Sequence, residues 1–307
     1  MNSPSVAILG PGAVGGFLAA VLWRHGVAVT CVTREPSAEL IARQGIRLES
    51  ETFGEFTARA AAVTRLNDEP DLLFVCTKMT GLAEALKRVD AKQLRRTLVV
   101  PLLNGIEHMQ VLRSACCTRV IAASIGSFEA IRKAPNHIVH RSASARIELA
   151  FEGDTERRKL SDLIRLLCGA GIMTALLPNE AAVLWGKLGR LQAIALFTAL
   201  ANQPLGIVRA DPAWRSQMEA CVHEAAAVAN AEGAALNPVQ IMKQIDALPA
   251  GLETSMQRDI AAGRPSELDA IAGAVVRAGE RHGLRCPTIQ GVIEALHGQN
   301  VGSFVHG

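Results

Sequence analysis

Apolar and polar positions follow two regimes along this 307-residue chain. Up to about residue 176, short apolar runs recur: Val6–Leu9, Val27–Val32, Leu72–Cys76, Thr97–Leu102, Val120–Ser124, Ile138–Arg141 and Arg146–Ala150. Runs of this length, bounded by Gly, Pro and polar clusters, read as buried strands. Helical periodicity lies between several of them, as in Ser37–Gln44 and Leu82–Val89. A helix near Thr155–Leu167 and a strand at Ile172–Leu176 complete this half. Alternation of β and α predicts an α/β fold with a parallel, doubly wound sheet. Ile138–Arg141 and Arg146–Ala150 are close in sequence and predict an antiparallel extension.

After Pro178 the pattern changes. Residues 180–200, 213–231, 238–247 and 266–282 read as helices separated by Gly, Pro and Asn, with no strand-like alternation of any length. The prediction is an α/β domain of Rossmann type over 1–178 and an all-α domain over 179–307, meeting near Leu177–Asn179. Residues 6–23 carry no charge, but Gly10-Pro11-Gly12 interrupts them, against a membrane span or signal peptide. Leu191–Val208 is also uncharged; Asn202, Gln203 and Pro204 break it into a buried helix and a turn.

The first strand runs directly into Gly10-Pro11-Gly12-Ala13-Val14-Gly15, a GxGxxG loop between a strand and an apolar helix that His25-Gly26 closes. Gly10 allows the turn, Gly12 lets backbone approach a pyrophosphate, and Gly15 lets helix and sheet pack closely. The helix presents free N–H groups and its positive dipole end to phosphates. The expected ligand is therefore a dinucleotide. An NAD site usually carries an acidic residue at the end of the second strand. Here that strand ends Cys31-Val32-Thr33-Arg34-Glu35, and the first charge is Arg34, whose forked guanidinium suits a 2′-phosphate. NADP(H) is the expected cofactor, with Glu35 on the ribose as the alternative.

Composition narrows the classes. Hydrophobic residues make up 49% and charged residues 20% of the chain, a globular balance, and the length suits two domains. A net charge of +3 is small for this size and argues against a nucleic-acid binder. The cysteines at 31, 76, 116, 117, 168, 221 and 286 form no CxxC pair and read as thiols of a reducing cytoplasm. No metal site is expected, Cys221-x-His223 reading as helix packing.

Reduction of a carbonyl by hydride needs a group that protonates the developing alkoxide. The chain has no tyrosine, which excludes the Tyr-x-x-x-Lys donor of short-chain dehydrogenases. Clustered Cys and His ligands for a catalytic zinc are missing too. Lysine or histidine remains. Lys187 is the one central ammonium in the apolar stretch Ala181–Leu188, a setting that suits a general acid and equally a side chain snorkelling from a helix edge.

Several motifs in order carry a family resemblance: Gly10-x-Gly12-x-x-Gly15, Arg34, Cys76-Thr77-Lys78, Leu103-Asn104-Gly105, Leu184-Trp185-x-Lys187-Leu188, Thr254-Ser255-Met256-x-x-Asp259 and Ser266-Glu267-Leu268-Asp269. From Val6 to about Leu296 the chain resembles the ketopantoate reductase (2-dehydropantoate 2-reductase) family. The resemblance implies NADPH-dependent reduction of a 2-oxo acid, 2-dehydropantoate to pantoate in pantothenate biosynthesis, or the same reaction on another substrate. It also implies that Arg34 binds the 2′-phosphate, that Lys78 and Asn104 lie along the cofactor, and that Ala130 lines the nicotinamide side. Lys187 would be the proton donor, Thr254 and Ser255 would meet the substrate's polar end together with Asn104, and Glu267 would sit by the nicotinamide ribose. Each position also has a plainer reading: Lys78 as a solvated lysine, Asn104-Gly105 as a turn pair, Thr254 and Ser255 as helix-start residues, and Ser266-x-x-Asp269 as a capping box.

One departure bears on substrate. The family's lysine helix carries asparagines four and eight positions on, on one face with the lysine. This chain has Leu191 and Ala195 there. Gln192 lies about 100° further round the helix and does not substitute. A polar substrate group facing Leu191 without a partner would cost roughly 1–3 kcal/mol, which favours a larger or less polar 2-oxo acid. Two other readings stay open: a related 3-hydroxyacid or opine dehydrogenase, and a non-catalytic NADP-binding sensor. The expected partners are a small-molecule substrate and a second copy in a homodimer, with neither nucleic acid nor membrane.

Overall fold

The computed structural model describes residues 4–116, 118–126, 128–150 and 157–299. Cys117 and the opening of the helix expected at 155–167 lie outside the described residues. The chain divides into two compact units. One comprises residues up to Leu103 together with His108–Val183; the other comprises Asn104–Glu107 and the residues from Leu184 onward.

In the first unit, Val6–Leu9, Val29–Val32, Ala61–Val63, Leu72–Val75, Leu98–Pro101 and Arg119–Val120 form one sheet. Numbered along the chain, they lie in the order 3-2-1-4-5-6, and every neighbouring pair is parallel. This is the doubly wound order of dinucleotide-binding sheets, and it reverses between Val6–Leu9 and Leu72–Val75. All four residues of each of those two strands are buried, as strands covered on both faces require.

The helix Ala13–Arg24 explains its own lack of polar positions. Every residue from Gly15 to Leu22 is buried, because the helix is covered on two sides. It packs on the parallel sheet and also against a second, four-stranded sheet. That sheet runs in the order Ala130–Ala134, His137–His140, Ile46–Ser50 and Gly54–Ala58. Phe17 on the helix meets Phe53, Phe128 and His140 with ring centroids 5.3, 5.0 and 4.6 Å away. The buried His140 ring bonds through Nδ1 to Ser50 Oγ at 2.9 Å. Burial holds its pKa below the ordinary value, against the opposing charge of Glu51 and a backbone bond with Ser144.

A third sheet joins Met173–Leu176, Arg146–Ala150 and Ala122–Gly126. The expected antiparallel pairing of Ile138–Arg141 with Arg146–Ala150 is therefore corrected. The strand His137–His140 pairs with Ala130–Ala134 and Ile46–Ser50, whereas Arg146–Ala150 pairs antiparallel with Ala122–Gly126 and parallel with Met173–Leu176. Buried Ile125 and Ile147 sit opposite each other in that register, a core contact that outweighs proximity in sequence.

Past Leu176 the described residues hold only helices and turns. Glu180–Ala201 is followed by Leu205–Ala210, Pro212–Ala231, Pro238–Asp246, Ser255–Ala261, a π-helical turn at Asp269–Gly273, Ala274–Arg281 and Pro287–Gln299. The break after Ala201 falls at Asn202, in left-handed conformation at φ 48°, a conformation asparagine tolerates at helix ends. Asp211, Asn237 and Thr254 start their helices by accepting backbone N–H bonds two or three residues on. Glu180–Ala201 has the length and apolarity to cross a membrane, but 72% of its most apolar window is buried inside the protein, as in a core helix.

Candidate active site

The sheet reverses its order beside the glycine loop, and here local geometry matches a phosphate cradle. Gly10 adopts φ 87°, and a Cβ there would lie 2.7 Å from the Thr77 methyl. At Gly15 a Cβ would meet Gly10 O at 2.4 Å, so helix and strand touch through bare backbone. Gly12 is the opposite case, since a Cβ would meet nothing within 4 Å. The helix that Gly12 opens has no side-chain cap and no acidic residue in its first turn. Its first N–H groups, at Ala13 and Val14 beside Pro11, thus adjoin open space, an arrangement suited to anionic oxygens.

Across the reversal point, Thr77 adds a polar group that the sequence did not single out. Its Oγ1 is buried without a hydrogen-bond partner. An orphaned hydroxyl costs stability unless something else satisfies it, and a ligand oxygen in the crevice would do so. A dinucleotide therefore fits the residues present. Lys78 follows on the exposed side and begins the turn Met79–Gly81. Arg34 stands exposed at the end of the strand Val29–Val32 and opens the helix Glu35–Gln44. Glu35 occupies the first turn of that helix, where its charge favours the dipole. Ala130 is half-buried at the start of its strand, opposite His140.

In the helical unit, Lys187 occupies the open stretch of an otherwise enclosed helix. Val183, Leu184, Trp185 and Leu188 are buried, and so is every residue from Gln192 to Ala199. Gly186, Lys187, Arg190 and Leu191 between them are half-buried. A Cβ on Gly186 would meet nothing within 4 Å, so the helix surface at that position is open. Leu191 shares this stripe one turn on, and Ala195, a turn further, is 0% exposed. Gln192 is turned away: its amide Nε2 donates to Cys221 O at 3.1 Å, on the neighbouring helix.

Asn104–Glu107 comes from just past a strand of the parallel sheet yet packs with the helical unit. Asn104 Nδ2 donates to Glu267 Oε2 at 2.9 Å. Glu267 is only 5% exposed. Gly105 adopts φ 82°, and a Cβ there would lie 2.2 Å from Ala270 O, so the turn rests against the π-helical segment. Arg277 secures the same join, donating to both Glu107 carboxylate oxygens at 2.8 Å and to Asp269 Oδ1 at 2.7 Å. Asp269 thus engages Arg277 through its carboxylate, in place of the expected capping role. π-helical turns are rare and frequent at functional sites.

Thr254 and Ser255 divide their work. The buried Thr254 hydroxyl accepts from Gln257 N at 3.1 Å and lies 3.1 Å from Thr198 Oγ1. It fixes the start of the helix Ser255–Ala261, while Ser255 itself is exposed. Burial pushes the Cys31 thiol up to about 12 and the Cys286 thiol up to about 11, which disfavours thiolate chemistry at these two positions. No His, Cys, Asp and Glu cluster able to hold a metal occurs among the described residues.

A phosphate-ready loop at the turning point of a 3-2-1-4-5-6 sheet, followed by a helical unit with a half-buried lysine, is the plan of a dinucleotide-dependent oxidoreductase. Comparison with known proteins narrows this class. The chain belongs to the ketopantoate reductase family: the profile of ketopantoate reductase PanE/ApbA matches residues 6–151, and that of its C-terminal part matches residues 181–300. A 2-dehydropantoate 2-reductase of Caulobacter vibrioides is 29% identical over 298 residues, covering 95% of this chain and 98% of that protein. Among solved structures, a PanE/ApbA family ketopantoate reductase from Ralstonia eutropha superposes with a TM-score of 0.86 at 25% identity, covering 97% of this chain and 98% of that one. A D-mandelate dehydrogenase with NADH and anilino(oxo)acetate shares the fold, with a TM-score of 0.88 at 21% identity and the same coverage.

Proposed function

We propose that this protein reduces a 2-oxo acid to the 2-hydroxy acid at the expense of NADPH, with Lys187 as the proton donor. The observation that carries the reading is the half-buried Lys187 on a helix whose neighbouring residues Val183–Trp185, Leu188 and Gln192–Ala199 are buried. The loop Gly10–Gly15 would hold a reduced nicotinamide dinucleotide, which would supply the hydride for the keto carbon. Lys187 Nζ stabilises the charge developing on the keto oxygen and then protonates it, and solvent returns the proton to the amine. Ser255 offers its exposed hydroxyl to the substrate carboxylate. Asn104, with Nδ2 committed to Glu267, keeps Oδ1 for cofactor or substrate. Arg34 receives the 2′-phosphate, and Lys78 and Ala130 flank the cofactor.

A specific observation favours an altered substrate. Leu191 shares the open stripe of Lys187, and Gln192 is engaged elsewhere. The lysine face therefore offers hydrocarbon where an amide would hold a hydroxyl-bearing substrate. This supports a bulkier, less polar 2-oxo acid, a reading in keeping with a D-mandelate dehydrogenase of the same fold. Free cysteines at 31, 76, 116, 168, 221 and 286 support a reducing, cytoplasmic setting. A homodimer formed through the helical unit completes the proposal.

The test is NADPH oxidation with ketopantoate alongside aliphatic and aromatic 2-oxo acids. Preference for an apolar acid supports the reading, with Leu191 and Ala195 as specificity determinants. Fast turnover of ketopantoate assigns the pantothenate step and makes the two amides dispensable. NADPH binding with no turnover of any acid overturns the catalytic reading in favour of a sensor.

A further inference from the structure

Two buried hydroxyls join the lysine helix Glu180–Ala201 to the start of the helix Ser255–Ala261. Thr198 is 0% exposed and Thr254 8%, and their oxygens lie 3.1 Å apart. A hydroxyl has one proton to give, so the direction of this bond follows from the other partners. Thr198 Oγ1 lies 2.8 Å from Ile194 O, a carbonyl that can only accept. Thr254 Oγ1 accepts from Gln257 N at 3.1 Å. Donation from Gln257 N to Thr254, from Thr254 to Thr198 and from Thr198 to Ile194 O gives both protons an acceptor. The reverse direction leaves the Thr254 proton without one among the described residues, at the cost of a buried unpaired donor. Thr254 is therefore the donor and Thr198 the acceptor.

Both hydroxyls are spent in this way, and Ser255, the next residue, is exposed. Thr198 stands eleven residues past Lys187. That is about three turns, which returns it to the lysine side of the helix. The segment leading to Ser255 is otherwise hung on backbone bonds. Leu205 N donates to Leu252 O at 3.0 Å, and Gly206 N donates to Ala250 O at 2.8 Å. These hold residues 250–252 beside the helix Leu205–Ala210 and stop short of Ser255. Two residues further on, the Thr198 hydroxyl takes over.

We propose that Thr198 is a positioning residue of the substrate site. Through Thr254 it fixes the first turn of the Ser255 helix against the lysine helix, and so sets where the Ser255 hydroxyl stands for a substrate carboxylate. This rests on the reading of Ser255 as the carboxylate contact of a 2-oxo acid reductase. A carboxylate contact made equally in the ground and transition states is lost in KM and not in kcat.

The experiment is steady-state kinetics of the full-length chain with the 2-oxo acid that the wild type reduces fastest. Thr198→Val keeps the shape and removes the hydroxyl, and should raise KM about tenfold. Its kcat and NADPH affinity should stay near the wild-type values. Thr198→Ser restores the hydroxyl and should restore KM. Thr198→Ala removes the hydroxyl without adding a methyl in its place, and carries the same expectation as Thr198→Val. In Thr198→Val/Ser255→Ala the KM should be no higher than in Ser255→Ala alone, because the first residue acts through the second. Unchanged KM in folded Thr198→Val and Thr198→Ala overturns the proposal, and so do additive effects in the double variant. Failure of both variants to fold also overturns it, since the hydroxyl would then serve the fold at large. Ser255→Ala separates the two readings. A wild-type KM in Ser255→Ala overturns the carboxylate contact and the proposal with it, whereas a raised KM there beside an unchanged one in Thr198→Val overturns the proposal alone.

Discussion

Asn104 donates its side-chain amide to the buried carboxylate of Glu267 at 2.9 Å, across 163 residues of sequence. A buried carboxylate needs donors, and the chain supplies this one from a turn that leaves the parallel sheet. The join is reinforced by Gly105 against Ala270 O and by Arg277 between Glu107 and Asp269.

Removing that amide should therefore be felt in both stability and activity. Asn104→Ala is expected to destabilise the protein by about 1–3 kcal/mol and to lower kcat/KM, read by thermal unfolding and steady-state kinetics. Glu267→Gln keeps the shape but removes the charge, and should preserve stability better than Asn104→Ala while still lowering kcat/KM. Equal, unperturbed kinetics in both variants would reduce the pair to a structural join.

The glycine loop separates folding from binding. Gly15→Ala places a methyl 2.4 Å from Gly10 O and should unfold or strongly destabilise the first unit. Gly12→Ala meets no atom within 4 Å in the protein and should fold with native stability. Its methyl would occupy the space assigned to pyrophosphate, so NADPH binding should weaken sharply. Native NADPH affinity in a folded Gly12→Ala protein would contradict the placement of the cofactor.

Arg34 should set cofactor preference. Loss of a guanidinium–phosphate contact costs about 1.5–3 kcal/mol, so Arg34→Ala should raise the Kd for NADPH roughly ten- to a hundredfold. NADH, which lacks the 2′-phosphate, should be little affected. An equal loss for both cofactors would return the ribose role to Glu35.

His140 makes stability depend on pH. Burial lowers its pKa in the folded state from the ordinary value of 6.5. The unfolded chain then binds the proton more readily, so this contribution is complete above about pH 6.5 and is lost as pH falls through the folded pKa. The melting temperature should drop on acidification below pH 6.5, and His140→Gln should show a smaller drop across the same interval. Parallel profiles for the two proteins would exclude His140 as the cause.

The legible part of the fold was its buried part. Val6–Leu9 and Leu72–Val75 are continuous apolar runs because both faces are covered, and the helix expected at 213–231 is found as Pro212–Ala231. The strands at Gly54–Ala58 and Ala61–Val63 were illegible because their residues are largely exposed or half-buried. Ala130–Ala134 carries Arg132 and Lys133 at an outer edge. Within the site, the glycine loop, Arg34 and Lys187 carry local signals. Thr77 and the Asn104–Glu267 bond have none, since one depends on an orphaned buried hydroxyl and the other on a contact between distant segments. Gln192 shows the converse: helical geometry alone excluded it from the lysine face, and its bond to Cys221 O agrees.

The central claim is that Lys187 donates the proton, and its most direct measurement is kcat of Lys187→Ala with the 2-oxo acid that the wild-type protein reduces fastest. Losing a positioned general acid should lower kcat by about a hundred- to ten-thousandfold, with NADPH affinity and melting temperature unchanged. A Lys187→Ala protein that turns over at the wild-type rate would contradict the account.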